Sequence, residues 1–416
     1  METCAFTIVA KNYIGLAMIL GKSLTKHNPN IAFKIVVADE INSEVKGLPN
    51  NLMIAKEELG YSSDVWRNMS FKYNLTEFCT AIKPAAFQRM FKDGFKKAIY
   101  FDPDIFIFSD ISSILHSLDK FDVVLTPQIA GVHIEYTGEH PEWAMNVNGI
   151  FNLGFCGMSS SELTSLVLEW WRMRLIDNCF ADRSVGNFTD QKWMDWIPGF
   201  LGSEHLCVIH SLGMNMAPWN YFERKLIEEN GKIYVSYRTD DNPQRKDPLV
   251  FLHFAGYDYA KMKQGVISRK RIHNLKDYDD IQLATSIYCK SIQDEKELFD
   301  SFINLDYSYS RYSNGERIDN FHRRLYHGCQ KDFPNPFHTG SDSFYARLKK
   351  KRMLVADNVD KISKQTIHGL QDKKQKENLF FSILFRLLGY KRYVLFLKSL
   401  YFYCRPELHT FLIKKK

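Results

Sequence analysis

The chain has no run of about 18 uncharged apolar residues, no Cys-x-x-Cys pair, no Gly-x-Gly-x-x-Gly loop and no internal repeat. The first absence argues against a membrane-spanning helix. The glycine fingerprint of dinucleotide binding is missing, which excludes the commonest reading of a βαβ start. The eight cysteines (Cys4, Cys79, Cys156, Cys179, Cys207, Cys289, Cys329 and Cys404) are widely scattered, and METCAFTIVAKNY is too short and interrupted for a secretory leader. Reduced cytosolic thiols are therefore expected, and a zinc site is not.

What remains is a 416-residue chain that is 45% hydrophobic and 14% aromatic, enough for a sizeable core. Its net charge of +7 is unevenly spread. From Tyr345 to Lys416 there are 18 Lys and Arg against 5 Asp and Glu, which leaves the preceding residues net acidic. An acidic body argues against nucleic-acid binding. A basic tail predicts attraction to an anionic surface.

The first forty residues alternate strand and helix signals. FTIVA (6–10) and FKIVVAD (33–39) are apolar runs, and IGLAMILGKSLTKH (14–27) between them has helical spacing. Together they read as a parallel βαβ unit. Ligands of such units bind beyond the C-terminal ends of the strands, where Asn12 and Asp39 fall. Residues 76–94 read as a helix or two short helices around Pro84. KAIYF (97–101), DVVLTPQ (122–128), FNLGFCGMS (151–159), IYVSY (233–237) and LVFLHFAGYD (249–258) read as strands, with Gly154 inside the third. SELTSLVLEWWRMRLID (161–177) is strongly helical, with Trp170 and Trp171 expected in the core.

IYFDPDIFIF (99–108) sets Asp102 and Asp104 into an otherwise apolar strand, on either side of Pro103. An ordinary turn explains the triplet by itself. The flanking strands add a second reading, in which a sharp bend lets both carboxylates converge. Two hard oxygen ligands suit Mg²⁺ or Mn²⁺ with its remaining positions taken by phosphate and water.

With its neighbours the triplet resembles the DxD motif of GT-A fold glycosyltransferases, in a pattern similar to bacterial polysaccharide and lipopolysaccharide enzymes related to glycosyltransferase family 8. The resemblance rests on an ordered set: TIVAKNY (7–13), TAIKP (80–84), AIYFDPD (98–104), FNLGF (151–155), TDQKWMD (189–195), MNMAPWN (214–220) and HFAGYD (253–258). It covers roughly residues 5 to 260 and implies an α/β, Rossmann-like, mixed but mostly parallel central sheet flanked by helices, with a helical C-terminal extension. The expected divisions are a catalytic domain over 1–275, a mainly helical accessory segment over 276–345 and a basic amphipathic tail over 346–416.

Carried over residue by residue, the resemblance implies that Ala10, Lys11, Asn12 and Tyr13 hold the nucleotide, with Tyr13 against the base. Lys83 resembles a basic residue that reaches the donor sugar or phosphate; a surface lysine is the alternative. Asn152 and Gly154 would line the sugar pocket. Asp190 would hold a sugar hydroxyl and Gln191 would face the β side of the sugar; a helix N-cap at Thr189-Asp190 is the alternative. His253 would be the third metal ligand beside Asp102 and Asp104, a donor that suits Mn²⁺ better than Mg²⁺. After Gly256, counted with the residues that bind the nucleotide sugar, the family's phosphate-touching Lys-Pro-Trp is replaced by residues 257–263, where Lys261 or Lys263 could substitute.

The implied reaction is transfer of a hexose from a UDP-sugar to a cell-surface glycan or lipid-linked acceptor, with retention of configuration. The rivals are an inactive glycan- or nucleotide-binding scaffold, an inverting transferase with Asp195 or Asp258 as base, and a nucleotidyltransferase. The last would usually show a glycine-rich phosphate loop, which AKNYIG is not. NLFFSILFRLLGYKRYVLFLKSLYFY (378–403), interrupted by Arg386, Lys391, Arg392 and Lys398, reads as interfacial helices broken near Gly389, with Lys414–Lys416 adding charge. A cytoplasmic enzyme held at the inner membrane face is expected.

Overall fold

The computed structural model describes residues 1–43, 45–239, 245–269, 278–354 and 370–413. Lys414–Lys416, and the first two residues of the expected accessory segment, lie outside the described residues. The chain forms two compact units. The first comprises Met1–Tyr61 and Leu75–Ser308, the second Ser62–Asn74 and Tyr309–Lys416.

The first unit is built on a seven-stranded sheet. Its strands are β1 (Thr3–Val9), β2 (Ala32–Val37), β3 (Leu52–Ile54), β4 (Lys97–Phe101), β6 (Val123–Leu125), β7 (Phe155–Ser159) and β8 (Leu206–Val208). Their order is β8-β6-β7-β4-β1-β2-β3. β1 runs parallel to both β2 and β4, β2 to β3, and β8 to β6, while β7 alone is antiparallel to its neighbours β4 and β6. This is the mixed, mostly parallel sheet expected. The apolar character of β1, β2 and β4 follows from cover on both faces: Ala5, Phe6, Ile35, Val37, Ile99 and Phe101 are all fully buried.

Between β1 and β2 lies α1 (Ile14–His27), whose Leu20 and Leu24 pack with Ala5, Ile99 and Phe155. The 76–94 region is two helices, Leu75–Ala81 and α2 (Lys83–Lys92), with Pro84 in the first turn of the second. Proline is tolerated there because those first N–H groups lack helical partners anyway. α3 (Glu162–Asp177) buries Val167, Leu168, Trp171 and Leu175. Trp171 is in the core as expected, whereas Trp170 is only half-buried and meets Trp193 and Phe200 edge-on.

Several strands are shorter than their apolar runs, and in 122–128 only Val123–Leu125 is one. In 151–159 only Phe155–Ser159 is a strand; Phe151 makes an isolated bridge to Pro127, and between them Asn152 Oδ1 accepts from Gly154 N (3.0 Å) and turns the chain. Gly154 thus sits in the turn before the strand, not inside it. A separate three-stranded sheet joins β9 (Arg224–Glu229), β10 (Lys232–Tyr237) and β11 (Asp247–Pro248). In 249–258 only β12 (Phe251–His253) is a strand, and it pairs antiparallel with β5 (Ile105–Ile107).

In the second unit, the helix Ser63–Lys72 contributes Phe71 to a cluster with Tyr312, Leu325, Tyr326, Phe344, Leu348 and Ile413. The buried Arg323 guanidinium ties it to later residues by donating to the carbonyls of Phe71, Tyr73 and Tyr309. Residues 370–403 are helical, broken at Gly389 (φ 66°, ψ 168°). A left-handed φ there suits glycine alone among common residues. The break brings Phe385 and Tyr393 to 5.2 Å between ring centroids, which one straight helix would keep far apart.

Candidate active site

The site forms where β1 and β4 end and the antiparallel β7 begins. Asp102 and Pro103 follow β4 directly, and Ile105 N donates to Asp102 O (3.0 Å), closing a four-residue turn with proline at its second position. The turn reading and the ligand reading of Asp-Pro-Asp are therefore one geometry. Asp102 N donates to Gly154 O (2.7 Å), and Phe254 N donates to Asp104 O (2.8 Å). The pairing of β5 with β12 sets Ile105 opposite His253. A residue 150 positions away thus arrives beside the turn.

His253 Nε2 lies 3.0 Å from Asp104 Oδ1 and 3.6 Å from Asp102 Oδ2. One ligand atom from each of the three residues falls within a 4.8 Å span. Burial alone would lower the imidazole pKa, but the Asp104 and Asp102 carboxylates more than offset it and hold it above the ordinary histidine value. Partial burial raises the Asp102 carboxyl against the opposing pull of His253 and Lys83; at Asp104 the burial penalty is outweighed by His253, and its pKa is lowered. Such a set of two oxygens and one imidazole nitrogen fits a divalent ion of the Mn²⁺ type. His253 Nδ1 is buried without a partner, so Nε2 is the nitrogen committed to the carboxylates.

Each carboxylate carries a tyrosine on its other oxygen. Tyr100 Oη donates to Asp102 Oδ1 (2.5 Å), and the single proton of Tyr259 Oη is shared between Asp104 Oδ2 (3.1 Å) and Phe254 O (3.0 Å). Neither tyrosine was among the residues singled out from sequence. Tyr100 reads as core in an apolar strand, and Tyr259 lies beyond the last matched motif.

Lys83, Asp190 and Gln191 are all buried within the same region. Lys83 Nζ reaches Asp190 Oδ2 (2.5 Å) and Leu153 O (2.8 Å), and stands 4.0 Å from the centroid of the Tyr100 ring. It is not a surface lysine. Asp190 makes no side-chain cap to the helical turn after it, and its Oδ1 accepts from Thr189 Oγ1 (3.1 Å). Gln191 Oε1 accepts from Leu153 N (3.1 Å) and Asn152 Nδ2 (3.3 Å), and its Nε2 donates to Asn148 O (3.0 Å). Two non-glycine residues here have left-handed backbones, Thr189 (φ 49°) and Asn215 (φ 52°). A β-branched residue in that region costs roughly 1–3 kcal/mol and is found mostly at functional sites.

Asn215 is a further site residue, within the MNMAPWN run. Its Nδ2 donates to Thr126 Oγ1 (2.9 Å) and Asn152 O (3.2 Å), while its buried Oδ1 has no partner. Asn12 Oδ1 and Trp219 Nε1 are likewise buried and unpartnered, and the Trp219 ring meets His253 edge-on at 5.3 Å. Orphaned buried polar atoms of this kind are what a polar ligand would satisfy.

At the end of β1, Ala10 is buried and Tyr13 meets Tyr259 edge-on at 6.3 Å. Asp39 is fully buried and accepts from Glu40 N (2.8 Å) and Ser308 N (3.0 Å); burial pushes its pKa up. Lys11 Nζ donates to Ser308 Oγ (2.7 Å). Gly256 takes φ 77° in the loop after His253, where Arg269 Nε donates to Ala255 O (2.7 Å). Lys263 is paired with Asp300 (2.5 Å), which leaves Lys261 as the less committed of the two lysines considered for phosphate. A cleft of about 1220 Å³ between α1, β5 and β10 is lined by none of these residues.

No family model matches the chain. Its fold is similar to that of solved glycosyltransferases. A galactosyltransferase, LgtC, in complex with donor and acceptor sugar analogues is 14% identical over 73% of this chain and 98% of its own, with a TM-score of 0.39. Mouse xyloside xylosyltransferase 1 is 15% identical over 52% of this chain and 88% of its own, with a TM-score of 0.35. Among curated sequences, the Bacillus subtilis (strain 168) protein YfnF is 23% identical over 267 residues, covering 64% of this chain and 84% of YfnF. YfnD of the same strain is 26% identical over 273 residues, covering 64% of this chain and 81% of YfnD.

Proposed function

We propose that the protein is a metal-dependent glycosyltransferase that moves a hexose from a UDP-sugar to a cell-surface glycan or lipid-linked acceptor, with retention of configuration. The observation that carries this reading is the convergence of Asp102, Asp104 and His253 within one 4.8 Å span, close to the buried Lys83–Asp190 pair. Mn²⁺ held by those three residues would supply Lewis-acid stabilisation of the leaving diphosphate.

The chain's own groups have distinct parts. Asn12, Tyr13 and Asp39 form the nucleotide end. Asn152, Gly154 and Asn215 line the sugar, and Gly154 has no side chain to fill the space in front of His253. Asp190 is fixed on one oxygen by Lys83, so its Thr189-bound oxygen is the one that would accept a sugar hydroxyl. Gln191 would turn its Oε1 toward the donor by giving up its longer bond, the one from Asn152 Nδ2. Retention is favoured because both candidate bases are already engaged. Asp195 pairs with Lys192 (2.8 Å) and accepts from Ile150 N (3.0 Å), and Asp258 caps the turn at Tyr259–Met262.

The C-terminal helices support a peripheral membrane location. Leu379 to Cys404 contains four basic residues and no acidic one. None of residues 377–403 is buried, and no helix among the described residues is long and apolar enough to cross a membrane. An apolar, cationic, uncovered pair of helices suits an anionic interface. The test of the function is a screen of nucleotide sugars for hydrolysis without acceptor, with Mn²⁺ and with EDTA. Mn²⁺-dependent release of UDP is expected; no turnover of any nucleotide sugar would leave a binding scaffold as the better reading.

A further inference from the structure

We propose that Tyr100 and Tyr259 are paired positioning residues that each occupy one oxygen of a metal-binding carboxylate, so that Asp102 and Asp104 each offer a single oxygen to the ion. The inference rests on the metal reading above and assigns a role within it to two residues that bear no ligand atom.

The arrangement is reciprocal. In Asp102 the oxygen bound by Tyr100 is Oδ1, and the oxygen nearer His253 is Oδ2; in Asp104 the oxygen bound by Tyr259 is Oδ2, and the one nearer His253 is Oδ1. The two phenols come from different segments, one on β4 and one after β12, and hold the two carboxylates separately. Both rings are fixed. Tyr100 is 2% exposed, edge-on to Phe6 at 5.4 Å; Tyr259 is 9% exposed, edge-on to Tyr13 at 6.3 Å and Tyr288 at 6.5 Å. A phenol held this way restricts the carboxylate's rotation and lone-pair use at no cost in charge.

The chemical consequence is selectivity. Ca²⁺ takes six to eight oxygens and favours bidentate carboxylates. Two carboxylates limited to one oxygen each, with an imidazole nitrogen, suit a smaller ion of higher nitrogen affinity and leave positions for diphosphate oxygens. Tyr100 carries a second link, because its ring face receives Lys83 Nζ, the ion that also pairs with Asp190. The hydroxyl side of one residue thus faces the metal carboxylate while its ring faces the sugar-side ion pair.

The test is Tyr100→Phe and Tyr259→Phe in the full chain, each of which keeps the ring and removes the hydroxyl. Mn²⁺ alone is titrated and free Mn²⁺ read by electron paramagnetic resonance, then Ca²⁺ is added as competitor. Each variant is expected to bind Mn²⁺ about tenfold more weakly, with Ca²⁺ displacing it at a lower ratio than in the parent. Thermal unfolding in EDTA reports any purely structural loss, and Tyr259→Phe, in a separate short helix, stands as an independent arm should Tyr100→Phe not fold. Parent protein that binds Mn²⁺ while either folded variant matches it within twofold, at the same Ca²⁺ ratio, overturns the clamp alone. Parent protein that takes up no Mn²⁺ overturns the metal reading and the clamp with it.

Discussion

Lys83 Nζ and Asp190 Oδ2 lie 2.5 Å apart, with side chains 1% and 3% exposed. The pair joins the start of α2 to the segment before Gln191, two stretches 107 residues apart. Breaking a buried pair from one side leaves an uncompensated charge, which costs about 3–5 kcal/mol. Lys83→Met is therefore expected to destabilise the first unit by that order. Lys83→Met with Asp190→Asn should recover much of it, because no lone charge remains. Urea unfolding of the three proteins checks this; a double variant as unstable as Lys83→Met would mean that lost packing, not charge, is responsible. Neither variant should transfer sugar at the parent rate.

Gly154 is in contact with the imidazole that completes the proposed metal set. A Cβ built on it would lie 2.5 Å from His253 Cε1 and 2.6 Å from Nδ1. Gly154→Ala is thus expected to push the ring away from Asp102 and Asp104. Mn²⁺ affinity should fall at least tenfold, while unfolding in EDTA shifts by less than for Lys83→Met. Calorimetric titration with Mn²⁺ decides it, and unchanged affinity would show that the ring has room to retreat without losing the metal.

The pH dependence has opposite signs with and without metal. The His253 pKa is held above its ordinary value by Asp104 and Asp102 despite burial. In the metal-free protein its charged pairing stabilises the fold fully below the unfolded pKa of about 6.5, and that contribution is lost as pH rises through the raised folded value. Mn²⁺ requires the neutral imidazole, so its affinity should fall as pH drops through the same value, with proton release on binding. Titrations at pH 6 and pH 8.5 in two buffers of different ionisation enthalpy read both. Mn²⁺ affinity independent of pH across that range would remove His253 from the ligand set.

The sheet was legible because β1, β2 and β4 are covered on both faces over most of their length and are mostly apolar there, with Lys34 and Lys97 only in their half-buried first halves. The grouping of Asp102 and Asp104 with His253 was legible only through the order of motifs, since the pairing of β5 with β12 brings the histidine in from 150 residues away. Other features had no local signal. Ser62–Asn74 joins the second unit because Phe71 packs with residues beyond 309, a long-range fact that helical periodicity in 63–72 does not carry. Tyr100 alternates with apolar neighbours just as a core residue would. The left-handed Thr189 runs against its own backbone preference. Strain of that kind is invisible to propensity and is expected where a site, not local stability, selects the conformation.

The C-terminal helices yield a prediction whose design depends on the second unit. Removing everything after residue 345 would take Leu348 and Ile413 from the cluster around Phe71, so loss of vesicle binding could simply report unfolding. Substitution is cleaner, because Arg386, Lys391, Arg392 and Lys398 are exposed. Replacing all four with Gln removes roughly 1 kcal/mol per charge near an anionic surface, about 4 kcal/mol in all, close to a thousandfold in partitioning. Binding to vesicles rich in phosphatidylserine is expected to collapse, while the weak binding to neutral vesicles, driven by side chains such as Leu379, Phe380 and Ile383, stays as it was. Nucleotide-sugar hydrolysis without acceptor should be unchanged, since none of the four residues belongs to the unit that holds the site. Equal binding of parent and variant to anionic vesicles at low salt would mean that the basic residues do not face lipid, and that the apolar helices are covered by protein instead.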